Sequence, residues 1–201
     1  MELKIFQEII KNKNKKIEFS VITNLETGNS KIFLVGEPID EYFFKYEKKI
    51  QFFCRNKING IIENTNIFIQ TFTNPVKVII VGAVHIAQYL IEFTKYLNFE
   101  IILIDPRKFF ATEERFPKIK VVNKWPEEAF KEIITDSNTA LISLTHNPKI
   151  DDPALIHALK KKFYYIGALG SQNTHSDRCE RLKIFGFNEN EINSIHGPIG
   201  I

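Results

Sequence analysis

Cysteine is scarce in this 201-residue sequence. Cys54 and Cys179 stand far apart with no C-x-x-C pair, which argues against a zinc site built mainly on thiolates. A reducing compartment would leave both thiols free. Long apolar runs are missing too: no segment reaches the ~18 uncharged apolar residues that span a bilayer. The opening MELKIFQEIIKNKNKK carries Glu2 and Glu8 and no apolar stretch with a cleavage site, so it does not read as a secretion signal. The expectation is a cytoplasmic protein with no membrane partner. Charge of one sign is equally lacking. The 27 basic residues exceed the 24 acidic ones by three, and neither the first 74 residues nor the remainder concentrates a field for nucleic acid. Arginine is rare, with only Arg55, Arg107, Arg115, Arg178 and Arg181 among those basic residues. Where a lysine-rich chain uses Arg, a planar bidentate fork is one reason and a random choice of base the other.

What is present is ordinary for a globular protein: 44% hydrophobic and 25% charged residues. Residues 1–74 read as a small α+β unit. Residues 2–10 predict a helix with Leu3, Phe6, Ile9 and Ile10 on one face. Strand-like runs follow at Ile17–Ile22, Lys31–Val35 and Ile67–Phe72, with a hairpin turn at Glu26-Thr27-Gly28-Asn29 and a helix over Ile39–Lys49. This unit offers no nucleophile, base or ligand cluster. A linker at Thr73-Asn74-Pro75 ends it.

From Val76 the pattern becomes regular. Val76–Val81 is almost continuously apolar, as a strand buried on both faces should be. Further strands are predicted at Glu100–Ile104, Lys118–Val122, Thr139–Leu144 and Phe163–Ala168. Helices fit at His85–Leu97, Pro126–Ile134, Pro153–Lys162 and Thr174–Phe185. Pro suits a first helical turn, Asp151 or Asp152 reads as an N-cap, and Thr174 with Asp177 has capping-box spacing. Strands alternating with helices imply parallel crossovers. Residues 75–201 are therefore expected to form a Rossmann-like, doubly wound α/β sheet.

Ligands bind such sheets at the carboxyl ends of the strands, so the residues after each strand are the candidates. Gly82-Ala83-Val84-His85-Ile86-Ala87 matches G-x-G-x-x-G/A at its first and third positions, but Val84 replaces the glycine that lets a pyrophosphate approach. Asp105 sits where a dinucleotide binder places its ribose acid. NAD(P) binding is therefore not expected. Pro106 fixes the loop carrying Asp105 and Arg107, as either a ligand clamp or a loop salt bridge. His146, at the tip of the fourth strand, is either a titrating group in the crevice or a structural hydrogen-bonder. Gly170 and Ser171 precede a helix bearing His175 and Arg178. Free N–H groups there favour an anion, and a solvated helix face is the alternative.

In order and spacing these blocks resemble the XdhC/CoxI family, the xanthine dehydrogenase accessory proteins. They are Val81–Ala87, Ile104–Arg107, Leu144–Pro148 with Asp151, and Ile166–Ser171 leading to Thr174, His175 and Arg178. His196-Gly197-Pro198-Ile199-Gly200-Ile201 resembles the closing block, and residues 1–74 resemble a shortened first domain. The resemblance implies a Rossmann-like C-terminal domain and a chaperone rather than a catalyst. Members bind molybdenum cofactor (molybdopterin) as cargo, protect it while a cysteine desulfurase supplies sulfur, and deliver it to a xanthine dehydrogenase-type molybdoenzyme. The cofactor phosphate would suit Gly170, Ser171 and Arg178, with Gly82, Val84, His85, Asp105, Arg107, His146 and His175 completing the site. A homodimer is compatible with this role, and no metal site or catalytic residue is expected. The competing readings are an NAD(P)-dependent oxidoreductase with His146 as acid/base, and a regulatory protein with a degenerate site.

Overall fold

The computed structural model describes residues 3–97 and 99–200. Two sequence expectations touch residues outside them: Glu2 at the start of the first helix, and Ile201 in the closing block. The chain divides into two compact units between Asn74 and Pro75.

The first unit comprises α1 (Leu3–Asn14), β1 (Phe19–Asn24), β2 (Ser30–Phe33), a 3-10 helix (Glu41–Tyr46), α2 (Glu47–Arg55), β3 (Gly60–Ile61) and β4 (Ile67–Phe72). The strands form an antiparallel sheet in the order β2-β1-β4-β3. The helix expected over Ile39–Lys49 is split. Asp40 caps a 3-10 turn through the Tyr42 N–H, and the α-helix proper begins at Glu47. Of the predicted α1 stripe only Ile9 is buried, against Phe19 and Val21, while Leu3, Phe6 and Ile10 face outward.

The second unit runs β5 (Val76–Val81), α3 (His85–Thr94), β6 (Phe99–Ile104), β7 (Lys120–Val122), α4 (Pro126–Glu132), β8 (Thr139–Ser143), α5 (Pro148–Lys161), β9 (Tyr165–Ala168), α6 (Gln172–Ile184), α7 (Glu189–Ile192) and β10 (Ile195–His196). Its six strands are all parallel, in the order β10-β9-β8-β5-β6-β7. This is the dinucleotide-fold order, reversing direction between β5 and β8. Alternation along β5 sorts its side chains to two cores. Ile79 and Val81 pack with α4, α5 and α6, whereas Val78 and Ile80 pack beneath α3 and the Ala111–Phe116 segment. The sheet is thus covered on both faces, as the apolar runs predicted.

Two capping assignments are corrected. Neither Asp151 nor Asp152 caps α5. Asn147 does, accepting the Lys149 N–H, with Pro148 in the first turn and Pro153 inside the helix. The helix starts earlier because Asn147 is a good cap and Pro148 supplies the fixed φ of a first residue, which places both aspartates in buried positions. Likewise Thr174 and Asp177 do not form the capping box of α6. Ser171 is the N-cap, its Oγ accepting the Thr174 N–H. The short elements α7 and β10 carry no pattern long enough to predict.

Candidate functional site

Four strand-to-helix or strand-to-loop turns meet at the carboxyl end of the parallel sheet. The first follows β5. Gly82 has φ +115°, and a Cβ there would lie 2.7 Å from Thr145 Cγ2 and 3.2 Å from the Thr145 nitrogen. Glycine is therefore required for close approach to the loop after β8, at the point where the strand order reverses. Val84, by contrast, is the N-cap of α3 in extended conformation, φ −82° and ψ 169°. A β-branched residue adopts that backbone readily, so this position does not call for glycine conformationally. His85, first in α3, is exposed with its ring edge-on to Tyr89.

The turn after β6 is built on Asp105, which is fully buried. Its Oδ2 accepts the Ala83 N–H at 2.7 Å and Arg107 Nη2 at 2.7 Å. Its Oδ1 accepts the Arg107 backbone N–H and Nε, each at 2.9 Å. Burial pushes the carboxyl pKa up, but the Arg107 fork and the two backbone donors outweigh it and hold it below the usual Asp value. Asp105 thereby ties the β5 turn to the β6 turn, and Arg107 lies half-exposed over the Phe110 ring. Of the two readings of this loop, the structure shows the salt bridge, and the Arg107 guanidinium remains partly exposed to solvent. Arg115 makes a second tie, through Nη1 to the carbonyls of Ala83 and Phe110. Nothing in the sequence pattern gave it that role.

After β8, Thr145 Oγ1 donates to buried Asp151 at 2.6 Å and accepts the Asn147 N–H. His146, between them, is exposed at φ +60°. A left-handed histidine costs roughly 1–2 kcal/mol.

After β9 comes the glycine turn. Leu169 N–H is taken by the Ser143 carbonyl, and Gly170 has φ +150°. Gln172 and Asn173 lie in the first turn of α6, where a helix supplies no carbonyl partner. Beneath them lies the main departure from expectation: Arg178 is not on the exposed face of α6 but is 1% exposed. Its Nη2 donates to the Leu169 carbonyl at 2.8 Å, and its Nη1 reaches His175 Nδ1 at 3.2 Å. Its Nε has no hydrogen-bond partner, and Nη2 lies 3.6 Å from where a Gly170 Cβ would be. Burial lowers the Arg178 pKa, while Asp151 and Asp152 oppose that shift. Asp152 is itself held bidentately by Arg181. The guanidinium thus shapes the turn and charges it from below.

His175 is placed with Arg178 as expected, and its chemistry can be read from the bond. A guanidinium only donates, so Nδ1 accepts and the proton sits on Nε2, 3.6 Å from Cys179 Sγ. Burial and the Arg178 charge both lower the His175 pKa. Nitrogen NMR should therefore find a neutral Nε2–H imidazole at pH 6.5, about the pKa of a free histidine. A cationic or Nδ1–H ring would contradict this arrangement. Among the described residues no three of His, Cys, Asp and Glu gather closely enough to hold a metal ion.

The predicted residues thus fall into three groups. Gly82, Asp105 and Arg107 form one tied turn pair, with Val84 and His85 opening α3 beside it. Gly170, Ser171, His175 and Arg178 form a second cluster, and His146 stands on the loop that touches Gly82. No helix among the described residues is long and apolar enough to cross a membrane.

A profile of the XdhC Rossmann domain matches residues 78–201. The chain is 37% identical over 81 residues to the molybdenum cofactor insertion chaperone PaoD of Escherichia coli (strain K12), covering 40% of this chain and 25% of that protein. It is 28% identical over 121 residues to a probable xanthine dehydrogenase subunit of Bacillus subtilis (strain 168), covering 60% of this chain and 36% of that one. These matches span about a quarter and a third of the relatives' lengths. A crystal structure of a xanthine dehydrogenase from Bacillus halodurans superimposes with a TM-score of 0.69 at 19% identity, over 89% of this chain and 57% of the other. At that identity the likeness concerns the fold. With the family profile running from β5 through every turn described above, this chain belongs to the XdhC Rossmann-domain family.

Proposed function

We propose that this chain is an accessory protein that binds molybdenum cofactor as cargo, protects it during sulfuration by a cysteine desulfurase, and delivers it to a xanthine dehydrogenase-type molybdoenzyme. Family membership supports this reading, as does a relative named as a molybdenum cofactor insertion chaperone. The observation that carries it is the β9–α6 turn. Exposed Ser171, Gln172 and Asn173 and half-buried Gly170 overlie a buried guanidinium, which suits the phosphate of a pterin cargo. Arg178 acts as a positioning residue there, and Arg107 offers a partly exposed charge on the neighbouring turn. His146 and His85 stand at the rim of the same strand ends.

A dinucleotide is the poorer fit. Its ribose hydroxyls need a free acid after the second strand, whereas both oxygens of Asp105 are engaged by Ala83 and Arg107.

The test is to incubate purified protein separately with molybdopterin and with NAD(P), pass each through a desalting column, and measure what is retained. Pterin should be retained and dinucleotide should not. Arg178→Lys should weaken retention about tenfold, because a single ammonium nitrogen does not reproduce the fork whose Nη1 and Nη2 reach His175 and the Leu169 carbonyl. Ser171→Ala removes an exposed cap, costs about 1 kcal/mol of stability, and should weaken retention in a protein that still folds. Arg55→Ala, in the first unit, should change nothing. Retention of NAD(P) without pterin sinks the proposal. So does pterin retention that responds to Arg55→Ala but to neither site variant.

A further inference from the structure

Arg107, Arg115, Arg178 and Arg181 each grip a partner within the chain. Arg55 does not. Among the described residues it has no hydrogen-bond or ion-pair partner, and it is exposed in the last turn of α2. The helix dipole favours a cation there. In a chain that otherwise uses lysine, however, the dipole asks only for a point charge and not for a planar fork.

Arg55 lines a cavity of about 250 Å³ that lies wholly within the first unit. One wall is the face of α2 that bears Glu47, Gln51 and Arg55. Their spacing of four residues stacks them one above another, while Ile50 and Cys54 on the neighbouring flank of the helix enter the core. The other wall is the end of β2 and the stretch after it, where Phe33 and Pro38 supply apolar surface and Glu37 a second carboxylate. Gln51 Nε2 donates to Glu47 Oε1 at 3.1 Å, which leaves the side-chain oxygen of Gln51 to accept.

Sites for drug-sized ligands begin at ~300 Å³, so a small occupant suits this one. Its lining asks for both charges. The Arg55 fork matches a carboxylate bidentately, yet Glu37 and Glu47 repel a doubly charged anion and favour an ammonium. The two charges must also stand apart. Glu47 and Arg55 lie at opposite ends of α2, about 12 Å apart along a helix that rises ~1.5 Å per residue. An ammonium and a carboxylate on one carbon would not reach both. An extended chain advances ~3.5 Å per residue, so two residues span about 7 Å and the protein side chains close the rest. Gln51, midway, then stands level with the linking peptide N–H. We propose that this cavity is a second binding site, for a zwitterion of dipeptide length. Its carboxylate lies on Arg55, its peptide N–H on Gln51 and its ammonium towards Glu47, with an apolar side chain against Phe33 and Pro38. The inference does not depend on the cargo-binding proposal, which uses residues of the second unit alone.

NMR titration of the nitrogen-labelled full chain with alanyl-leucine tests it. The amide signals of Gly36, Gln51 and Arg55 should shift saturably, with a Kd of about 1 mM or below. Arg55→Ala, at an exposed position, should leave the circular dichroism spectrum unchanged and raise Kd at least ~10-fold. Arg55→Lys should recover part of the loss, and Glu47→Gln should weaken binding roughly threefold or more. N-acetyl-alanyl-leucine lacks the ammonium and alanyl-leucinamide the carboxylate, and each should bind at least ~10-fold more weakly than the free dipeptide. Inorganic phosphate should not displace the dipeptide. No saturable shift up to about 10 mM dipeptide overturns the proposal, as does binding indifferent to Arg55→Ala. Displacement by phosphate, or an N-acetyl dipeptide bound as tightly as the free one, overturns the zwitterion. Pterin retention by an Arg55→Ala protein that has lost the dipeptide would leave the cargo reading intact. A dipeptide site in a protein that retains no pterin would leave this one intact, so the two proposals fail separately.

Discussion

Gly82→Ala should destabilise the protein by about 2–4 kcal/mol, measured by urea denaturation, and should weaken retention of the proposed pterin cargo in parallel. Two independent penalties make up the effect. A φ of +115° lies where an L-residue costs ~1–3 kcal/mol. The added methyl would also stand 2.7 Å from Thr145 Cγ2 and 3.2 Å from the Thr145 nitrogen, a contact that close packing does not absorb. Thr145 cannot swing aside freely, because its hydroxyl is held by Asp151 at 2.6 Å. A second substitution separates the two penalties. Thr145→Ser deletes Cγ2 and keeps the hydroxyl, so Gly82→Ala with Thr145→Ser should recover the side-chain part of the loss and leave the backbone part. If Gly82→Ala is as stable as the parent, the two loops are not in contact at the switch point.

The sheet was legible because parallel strands buried on both faces are largely apolar along their length, and apart from Lys77, Thr139 and Ser143 the runs Val76–Val81 and Thr139–Leu144 are. The strand-end glycines were legible for a related reason, since only glycine tolerates what Gly82 and Gly170 do. The starts of α5 and α6 were less so. Asp-Asp-Pro and Thr-x-x-Asp are good local signals, but Asn147-Pro148 and Ser171 come earlier in the chain and cap first. Arginine scarcity proved informative in an unexpected way. Arg107 and Arg181 each grip a carboxylate bidentately, and Arg115 and Arg178 each bridge two partners. Arg107, Arg115 and Arg178 therefore brace the turns at the strand ends, while Arg181 ties α6 to α5. Residue identity announces a fork, but only the fold decides what it grips. The exposure of a helical arginine cannot be read from i, i+3 spacing alone, and so the burial of Arg178 was missed.

The largest single contribution to the strand-end scaffold should come from Asp105. Asp105→Asn keeps the size and removes the charge, yet its amide nitrogen would face either Ala83 N–H and Arg107 Nη2 or, flipped, the Arg107 backbone N–H and Nε, donor against donor. At least one of these donors would be stranded, and the charge-assisted bonds to Arg107 would weaken. The expected loss is about 2–4 kcal/mol, towards the lower end because Arg107 is half-exposed and screened by solvent. The pH dependence provides the sharper test. Asp105 titrates below the usual Asp value in the folded protein, so at acidic pH the unfolded chain binds the proton first. Its contribution is fully present above the ordinary carboxylate range and is lost as pH falls through the lower folded value. Stability measured by urea between neutral pH and about pH 3 should fall on acidification, and part of that slope should vanish in Asp105→Asn. Asp40 and Glu132 are held low by Lys31 and Lys124 at the surface, so some slope will remain in the variant. Should the slope be identical in parent and Asp105→Asn, folding does not lower the Asp105 pKa and the Arg107 fork holds its carboxylate no better than water does. The tie between the β5 and β6 turns would then rest on Arg115 and on the Gly82 N–H to Ile104 carbonyl bond.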